Sequence, residues 1–265
     1  MRAADGKPFA KRSLGQNFLQ DENIARKIVA ALELHEGDTV VEIGPGRGAL
    51  TRWLAESPTH RILALEKDKD LAQQLAETHP RVEIVVSDAL RYPWENLSGV
   101  EPLKYIGNLP YNIASPLMWE IVSRSSRYAR AVFMVQHEVG LRLTASPGNG
   151  DYGALSVWIQ SFARVRYLFR VSPQVFRPKP KVDSAVLCFE PLAEEDRPTH
   201  PALLAKLLHL CFQKRRKQLR NILRDWWDER VGSSGSELAN AAEARPEVLT
   251  PREFQQLALL LWGDD

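Results

Sequence analysis

Apolar positions along this chain fall into short continuous runs that alternate with amphipathic stretches. Residues 39–43, 61–65, 82–86, 104–106 and 131–135 are runs rich in β-branched and aromatic side chains. Between them, residues 49–56, 68–77 and 115–123 carry helical spacing. Upstream, Asp21 is placed to cap a helix whose apolar face is Ile24, Ile28 and Leu32. Short runs with no polar alternation predict strands buried on both faces, and their alternation with helices predicts a parallel sheet. The fold class expected is therefore α/β, a doubly wound Rossmann-like domain.

The rhythm changes after Arg142. Residues 146–150 (SPGNG) form a loop, and 165–171 and 184–189 read as two strands separated by a proline-rich stretch, 173–180, with no helix. This pair is expected to form an antiparallel edge of the same sheet. Residues 192–201 are acidic and contain prolines, as a linker would. Beyond Ala202 the pattern is helical, with Leu203, Leu207, Leu208 and Cys211 on one face and Thr250-Pro251 opening a last helix. The expected organisation is a basic arm (1–15), an α/β domain (16–191), a linker (192–201) and a small all-α domain (202–265).

Composition changes this picture little. At 44% hydrophobic and 26% charged residues, the 265-residue chain is ordinary globular material. Its two cysteines, Cys188 and Cys211, are widely separated and read as buried thiols of a reducing compartment. No apolar run approaches the ~18 residues of a membrane span, and the N-terminal residues lack the apolar core of a secretory signal. A cytoplasmic location is expected. The net charge is only +2, but its distribution is uneven. Residues 124–186 hold ten Lys/Arg against three acids, 205–224 hold seven basic residues and no acid, and 225–265 hold nine acids against three Arg. Segregated basic stretches suggest an anionic partner.

Candidate chemistry begins at the end of the first strand. Val40-Val41-Glu42-Ile43-Gly44-Pro45-Gly46-Arg47-Gly48 runs from strand through a glycine turn into a helix, so Gly44 and Gly46 would let a ligand approach the backbone closely. The spacing alone does not exclude a dinucleotide, and a turn without ligand uses the same residues. The acid Glu42 ahead of the glycines suits a cationic ligand better than a pyrophosphate. S-adenosylmethionine, with an ammonium and a sulfonium, is such a ligand. Glu66 ends the next strand, where an acid accepts from ribose hydroxyls, although it also reads as a capping carboxylate. Asp88 closes the following strand, placed either to accept from an exocyclic amine or to cap a helix.

Asn108-Leu109-Pro110-Tyr111 follows the fourth strand. The asparagine offers a neutral carbonyl acceptor. The proline fixes the backbone so that a main-chain carbonyl can face a pocket, and the tyrosine offers a ring on which a base can stack. Together they could hold an aromatic amine such as adenine N6 by two acceptors and one face. An Asx-Pro turn with a core tyrosine is the alternative. No histidine or cysteine has metal-ligand spacing, so no metal is expected.

Four segments in order, Leu14-Gly15-Gln16-Asn17-Phe18-Leu19, Glu42–Thr51, Asn108–Tyr111 and Phe176-Arg177-Pro178-Lys179-Pro180-Lys181-Val182, resemble one family, the bacterial small-subunit rRNA adenine N6,N6-dimethyltransferases (the KsgA family). The resemblance covers most of residues 12–225, including Phe212–Asn221. It implies transfer of methyl groups from S-adenosylmethionine to N6 of two adjacent adenosines near the 3′ end of small-subunit rRNA, free or in a pre-assembled subunit, with a role in subunit biogenesis. It carries Gln16, Asn17 and Leu19 over as cofactor contacts, beside Glu42, Gly44, Gly46, Glu66, Asp88 and Asn108. It also carries Phe176 over as the aromatic that covers the target base opposite Tyr111. Lys214, Arg215, Lys217, Arg220 and Arg224 are expected to bind RNA, with 214, 217, 220 and 224 on one helical face; a merely solvated face is the alternative. The tail beyond Trp226 matches the family weakly. A monomer is expected. Rival readings are an assembly factor whose binding outweighs its chemistry, and an adenine methyltransferase acting on large-subunit rRNA or DNA.

Overall fold

The computed structural model describes residues 15–97, 102–124 and 128–263; the expected arm lies outside these apart from Gly15. The elements run β1 (Phe18–Leu19), α1 (Glu22–Ala30), β2 (Thr39–Ile43), α2 (Thr51–Ala55), β3 (Arg61–Glu66), α3 (Lys69–Thr78), β4 (Glu83–Val86), β5 (Leu103–Asn108), α4 (Ala114–Arg124), β6 (Tyr128–Gln136), α5 (His137–Thr144), α6 (Ala154–Gln160), β7 (Ala163–Val171), β8 (Phe176–Arg177), β9 (Ser184–Pro191), α7 (Pro201–Gln213), α8 (Leu219–Ile222), α9 (Arg224–Trp226) and α10 (Pro251–Trp262).

Seven strands form one sheet in the order β4-β3-β2-β5-β6-β9-β7. β4, β3, β2, β5 and β6 are parallel, and β9 enters antiparallel beside β6. Apolar runs without alternation work here because both faces are covered. Val40, Ile62, Ala64, Ile106, Val132, Met134 and Val186 pack with Ile28, Leu32, Leu50 and Leu54 from the α1–α2 side. Their neighbours Val41, Leu63, Tyr105, Phe133 and Leu187 are equally buried on the opposite face. Trp94 meets Tyr105 edge-on there at 5.6 Å. Asp21 caps α1 as expected, accepting from the N–H groups of Asn23 and Ile24.

At the end of the sheet where the parallel strands begin, Lys104 and Asp38 form a buried ion pair at 2.7 Å. Asp38 also accepts from the His35 N–H, and the Lys104 ammonium also donates to the Glu33 carbonyl. The pair ties the start of β5 to the turn before β2.

A second, two-stranded sheet was not foreseen. β1 pairs antiparallel with β8, Phe18 opposite Arg177 and Leu19 opposite Phe176. The proline-rich stretch also holds a short 3-10 turn, Pro173–Val175, whose Val175 carbonyl accepts from the Gln20 N–H.

The chain divides into two compact units, one of residues up to Gly140 with Val165–Pro191, the other Leu141–Arg164 with Leu192–Asp265. The sequence reading placed all of 141–164 in the α/β domain; instead these residues join the helical unit. α6 packs on α7 and α10 there, and the Tyr152 hydroxyl donates to the Leu249 carbonyl. Short connections through 146–150 hid this excursion, since nothing in a loop's composition tells which core the next helix joins. Within the helical unit, α7 buries Leu204, Leu207, Leu208 and Cys211, and α10 opens with a capping box between Thr250 and Glu253.

The basic stretch 214–224 is not one helical face. Lys214 ends α7, and α8 starts only at Leu219. The Leu219 and Arg220 N–H groups donate to the Ala244 and Ala242 carbonyls, a pairing that a continuous helix would forbid.

Candidate active site

The parallel strands deliver their C-terminal ends to one crevice, the place where open α/β sheets bind ligands. β2 supplies Glu42 and the glycine loop, β3 supplies Glu66, the residue after β4 leads to Asp88, and β5 ends on Asn108. All of the expected cofactor residues line this cavity: Gln16, Asn17, Leu19, Glu42, Gly44, Gly46, Glu66, Asp88 and Asn108. Leu109, Pro110 and Tyr111 line it as well.

The glycine loop is built for close approach. Gly46 has φ +60°, and a Cβ there would stand 3.2 Å from the Phe18 ring. Its N–H donates to Glu66 Oε2 at 3.0 Å, while Glu66 Oε1 accepts from the Asp68 N–H at 2.8 Å. Glu66 thus holds the loop against the start of α3 with both oxygens; each oxygen keeps a second lone pair for a hydroxyl. Burial pushes the Glu66 carboxyl above its ordinary range. Phe18 closes over the same loop, with the Arg47 guanidinium 4.5 Å from its ring centre.

Glu42 is more extreme. It is 1% exposed, and its Oε2 has no hydrogen-bond partner. Burial pushes its carboxyl up to about 8, against the opposing pull of Thr51 at the start of α2 and with a push from the Glu66 charge. An unpartnered buried carboxyl oxygen in a cavity wall is costly unless something cationic meets it.

Asp88 caps the turn that follows β4. Oδ1 accepts from the Leu90 N–H as a helix cap, and Oδ2 pairs with Lys67 at 2.8 Å. The Lys67 ammonium holds the Asp88 carboxyl below its ordinary range.

Asn108 donates Nδ2 to the Asn17 carbonyl at 3.0 Å. That bond sets the orientation of the amide and leaves Oδ1 as its acceptor for a ligand. The Pro110 carbonyl is committed to the N–H groups of Ile113 and Ala114, which start α4. Leu109 and Pro110 both line the cavity, and the proline ring restricts the backbone on either side of the Leu109 carbonyl. The Tyr111 hydroxyl lies 2.8 Å from Ser184 Oγ, and burial raises its pKa.

Phe176 is not at the cavity. It is 1% exposed and packs with Leu19, Val171 and Val186 in the core. Pairing of β8 with β1 sets it opposite Leu19, which itself lines the cavity. In the helical unit, Arg215 pairs with Glu247 and donates to the Gly150 carbonyl, which makes it an internal brace. Arg220 and Arg224 sit in exposed pairs with Asp228 and Asp225. Ser184, which meets the Tyr111 hydroxyl, carried no signal in the sequence beyond its position at the head of a strand just after the FRPKPKV segment.

The ribosomal RNA adenine dimethylase family model matches residues 9–245. The chain belongs to that family. It is a methyltransferase of ribosomal RNA adenine, and S-adenosylmethionine is its methyl donor. The chain is 50% identical over 248 residues to "Ribosomal RNA small subunit methyltransferase A" of Maridesulfovibrio salexigens, covering 94% of each protein. It is also 50% identical over 258 residues to the protein of that name from Oleidesulfovibrio alaskensis, covering 96% of this chain and 92% of the relative. Among solved structures, a dimethyladenosine transferase from Plasmodium falciparum superposes with a TM-score of 0.75 at 25% identity, covering 93% of this chain and 98% of that one. The 23S rRNA methyltransferase ErmE superposes with a TM-score of 0.69 at 27% identity, covering 92% and 99%. No helix among the described residues is long and apolar enough to cross a membrane, and no group of His, Cys, Asp and Glu among them could hold a metal.

Proposed function

We propose that this methyltransferase dimethylates N6 of two adjacent adenosines near the 3′ end of small-subunit rRNA, acting in the cytoplasm as a monomer during subunit biogenesis. The observation that carries the chemistry is the Asn108–Asn17 hydrogen bond, which leaves the Asn108 carbonyl as an acceptor beside the Leu109 carbonyl and the Tyr111 ring. The names of the 50% identical relatives support the small subunit as target.

The residues fit S-adenosylmethionine. The unpartnered Glu42 oxygen suits its ammonium, Glu66 its ribose hydroxyls and Asp88 its adenine amine. Positive φ at Gly44 and Gly46 disfavours any side chain in the loop, and a Cβ at Gly46 would press on the Phe18 ring. When bound, this donor supplies a methyl group on a sulfonium, an electrophile that needs no further activation.

The protein's task is to make a poor nucleophile ready. The N6 lone pair of adenine is delocalised into its ring. Accepting both N6–H bonds, by Asn108 Oδ1 and the Leu109 carbonyl, draws the nitrogen towards tetrahedral geometry and localises the lone pair. Stacking on Tyr111 fixes the direction of approach. No strong base is required, because the surplus proton becomes acidic once the nitrogen is alkylated. Positioning of this kind supplies roughly 7–11 kcal/mol in well-oriented reactions. The target base must be unstacked to enter the crevice. Lys214, Lys217, Arg220 and Arg224 would contact RNA phosphates, while Phe176 and Arg215 support the fold around their sites.

Incubating the purified protein and labelled S-adenosylmethionine with unmodified small subunits, unmodified large subunits and matched DNA tests the reading. Label in dimethyladenosine of small-subunit rRNA alone is expected. Label only in large-subunit rRNA or DNA would refute it.

A further inference from the structure

We infer that Ser184 is a positioning residue for methyl transfer, holding the Tyr111 ring through its phenolic hydroxyl. The inference rests on the proposed role of Tyr111 as the platform for the target base.

The placement follows from the sheet. β5 ends on Asn108, level with Met134 of β6. On the other side of β6, the antiparallel strand β9 begins with Ser184, level with Gln136. A parallel strand at that place would bring its last residue to this edge; the reversed strand brings its first. Ser184 therefore reaches the same edge of the sheet as Asn108, two strands away. Tyr111 lies between them, three residues beyond Asn108, and its hydroxyl meets Ser184 Oγ at 2.8 Å.

Two features make this contact a restraint. Ser184 is fully buried, so no bulk water replaces its partner when the bond breaks. Its backbone is fixed as well, within the β6–β9 ladder and next to Asp183, whose carbonyl accepts from the His137 N–H. The tyrosine has two rotatable bonds; a hydrogen bond at the far end of the ring fixes the first, and the preference of a phenolic O–H for the ring plane biases the second. A stacking role needs only the ring face; the hydroxyl is what keeps the ring in place beneath the base.

Single-turnover methylation of unmodified small subunits at saturating S-adenosylmethionine tests this, with Tyr111→Ala, Tyr111→Phe, Ser184→Ala, Ser184→Thr and the Tyr111→Phe/Ser184→Ala double variant. Tyr111→Phe and Ser184→Ala should each slow transfer by roughly three- to tenfold, the worth of one neutral hydrogen bond. The double variant should be no slower than the worse single one, because both remove the same bond. Ser184→Thr, which keeps a hydroxyl, should recover most of the rate, and cofactor affinity should be unchanged throughout. Wild-type rates for both single variants, or losses that multiply in the double, would overturn the inference. If Ser184→Ala does not fold, a wild-type rate for Tyr111→Phe overturns it alone. A wild-type rate for Tyr111→Ala would instead show that the stacking role itself is wrong.

Discussion

Replacing Glu42 with glutamine keeps the shape of the side chain and removes its ability to ionise. Burial pushes the Glu42 carboxyl up to about 8, from an ordinary 4.5. At pH 7 roughly one molecule in eleven then carries the charge, and at pH 6 roughly one in a hundred. If the ionised form meets the ammonium of S-adenosylmethionine, binding must release a proton below pH 8. The affinity of the native protein relative to the Glu42→Gln variant should therefore rise about tenfold between pH 6 and pH 7, and level off above 8. The ratio of the two affinities is the quantity to read, because the ligand's own amino group titrates near 8 in both proteins, and Glu66 is present in both. The same shift has a stability consequence of opposite direction. A carboxyl whose folded pKa lies above its unfolded one favours the folded state most at low pH, and this advantage is lost as pH rises from about 4.5 to about 8. The empty Glu42→Gln protein should accordingly gain in Tm relative to the native protein as pH rises across that window. Isothermal calorimetry at pH 6, 7 and 8 in two buffers of different ionisation heat measures affinity and proton release together. An affinity ratio independent of pH, with no proton released, would refute the assignment of Glu42 to the cationic end of the ligand.

Other substitutions follow from the same geometry. Asn108→Ala should slow single-turnover methylation at saturating cofactor at least ~100-fold, about 2.7 kcal/mol, a larger effect than the loss of calorimetric cofactor affinity that follows from releasing Asn17. Glu66→Ala should weaken cofactor binding by roughly 1.5–3 kcal/mol by calorimetry, and should also lower Tm, because its two oxygens tie Gly46 to Asp68. Lys104→Met leaves Asp38 buried without its cation and should cost about 3–5 kcal/mol in urea unfolding; turnover of the protein that remains folded should not change.

Much of this architecture could be read from the chain because it depends on local pattern. The strand 39–43 has the bounds expected for it, and the cap at Asp21 and the capping box at Thr250 come from residues adjacent in sequence. The crevice was legible for a similar reason: a parallel sheet places the residues after each strand at one edge, so Glu42, Glu66, Asp88 and Asn108 converge wherever the strands are correctly found. What stayed hidden depends on pairing between distant segments. The β1–β8 ladder turns Phe176 into the core, and no local feature of FRPKPKV reveals its partner. Ser184 needed the register of β9 against β6 before its nearness to Tyr111 could be seen. The break in 214–224 is likewise imposed from outside, by carbonyls of residues 242 and 244.

The role proposed for Asn108 and its neighbours is to present adenine N6 of small-subunit rRNA for two methyl transfers. Mass spectrometry of small-subunit rRNA, from cells lacking this activity and supplied with either the native protein or Asn108→Ala, tests it most directly. The native protein should yield two adjacent N6,N6-dimethyladenosines near the 3′ end, and the variant should leave both unmodified in the same interval. Full dimethylation by the variant, or native modification confined to another nucleotide, would contradict the claim.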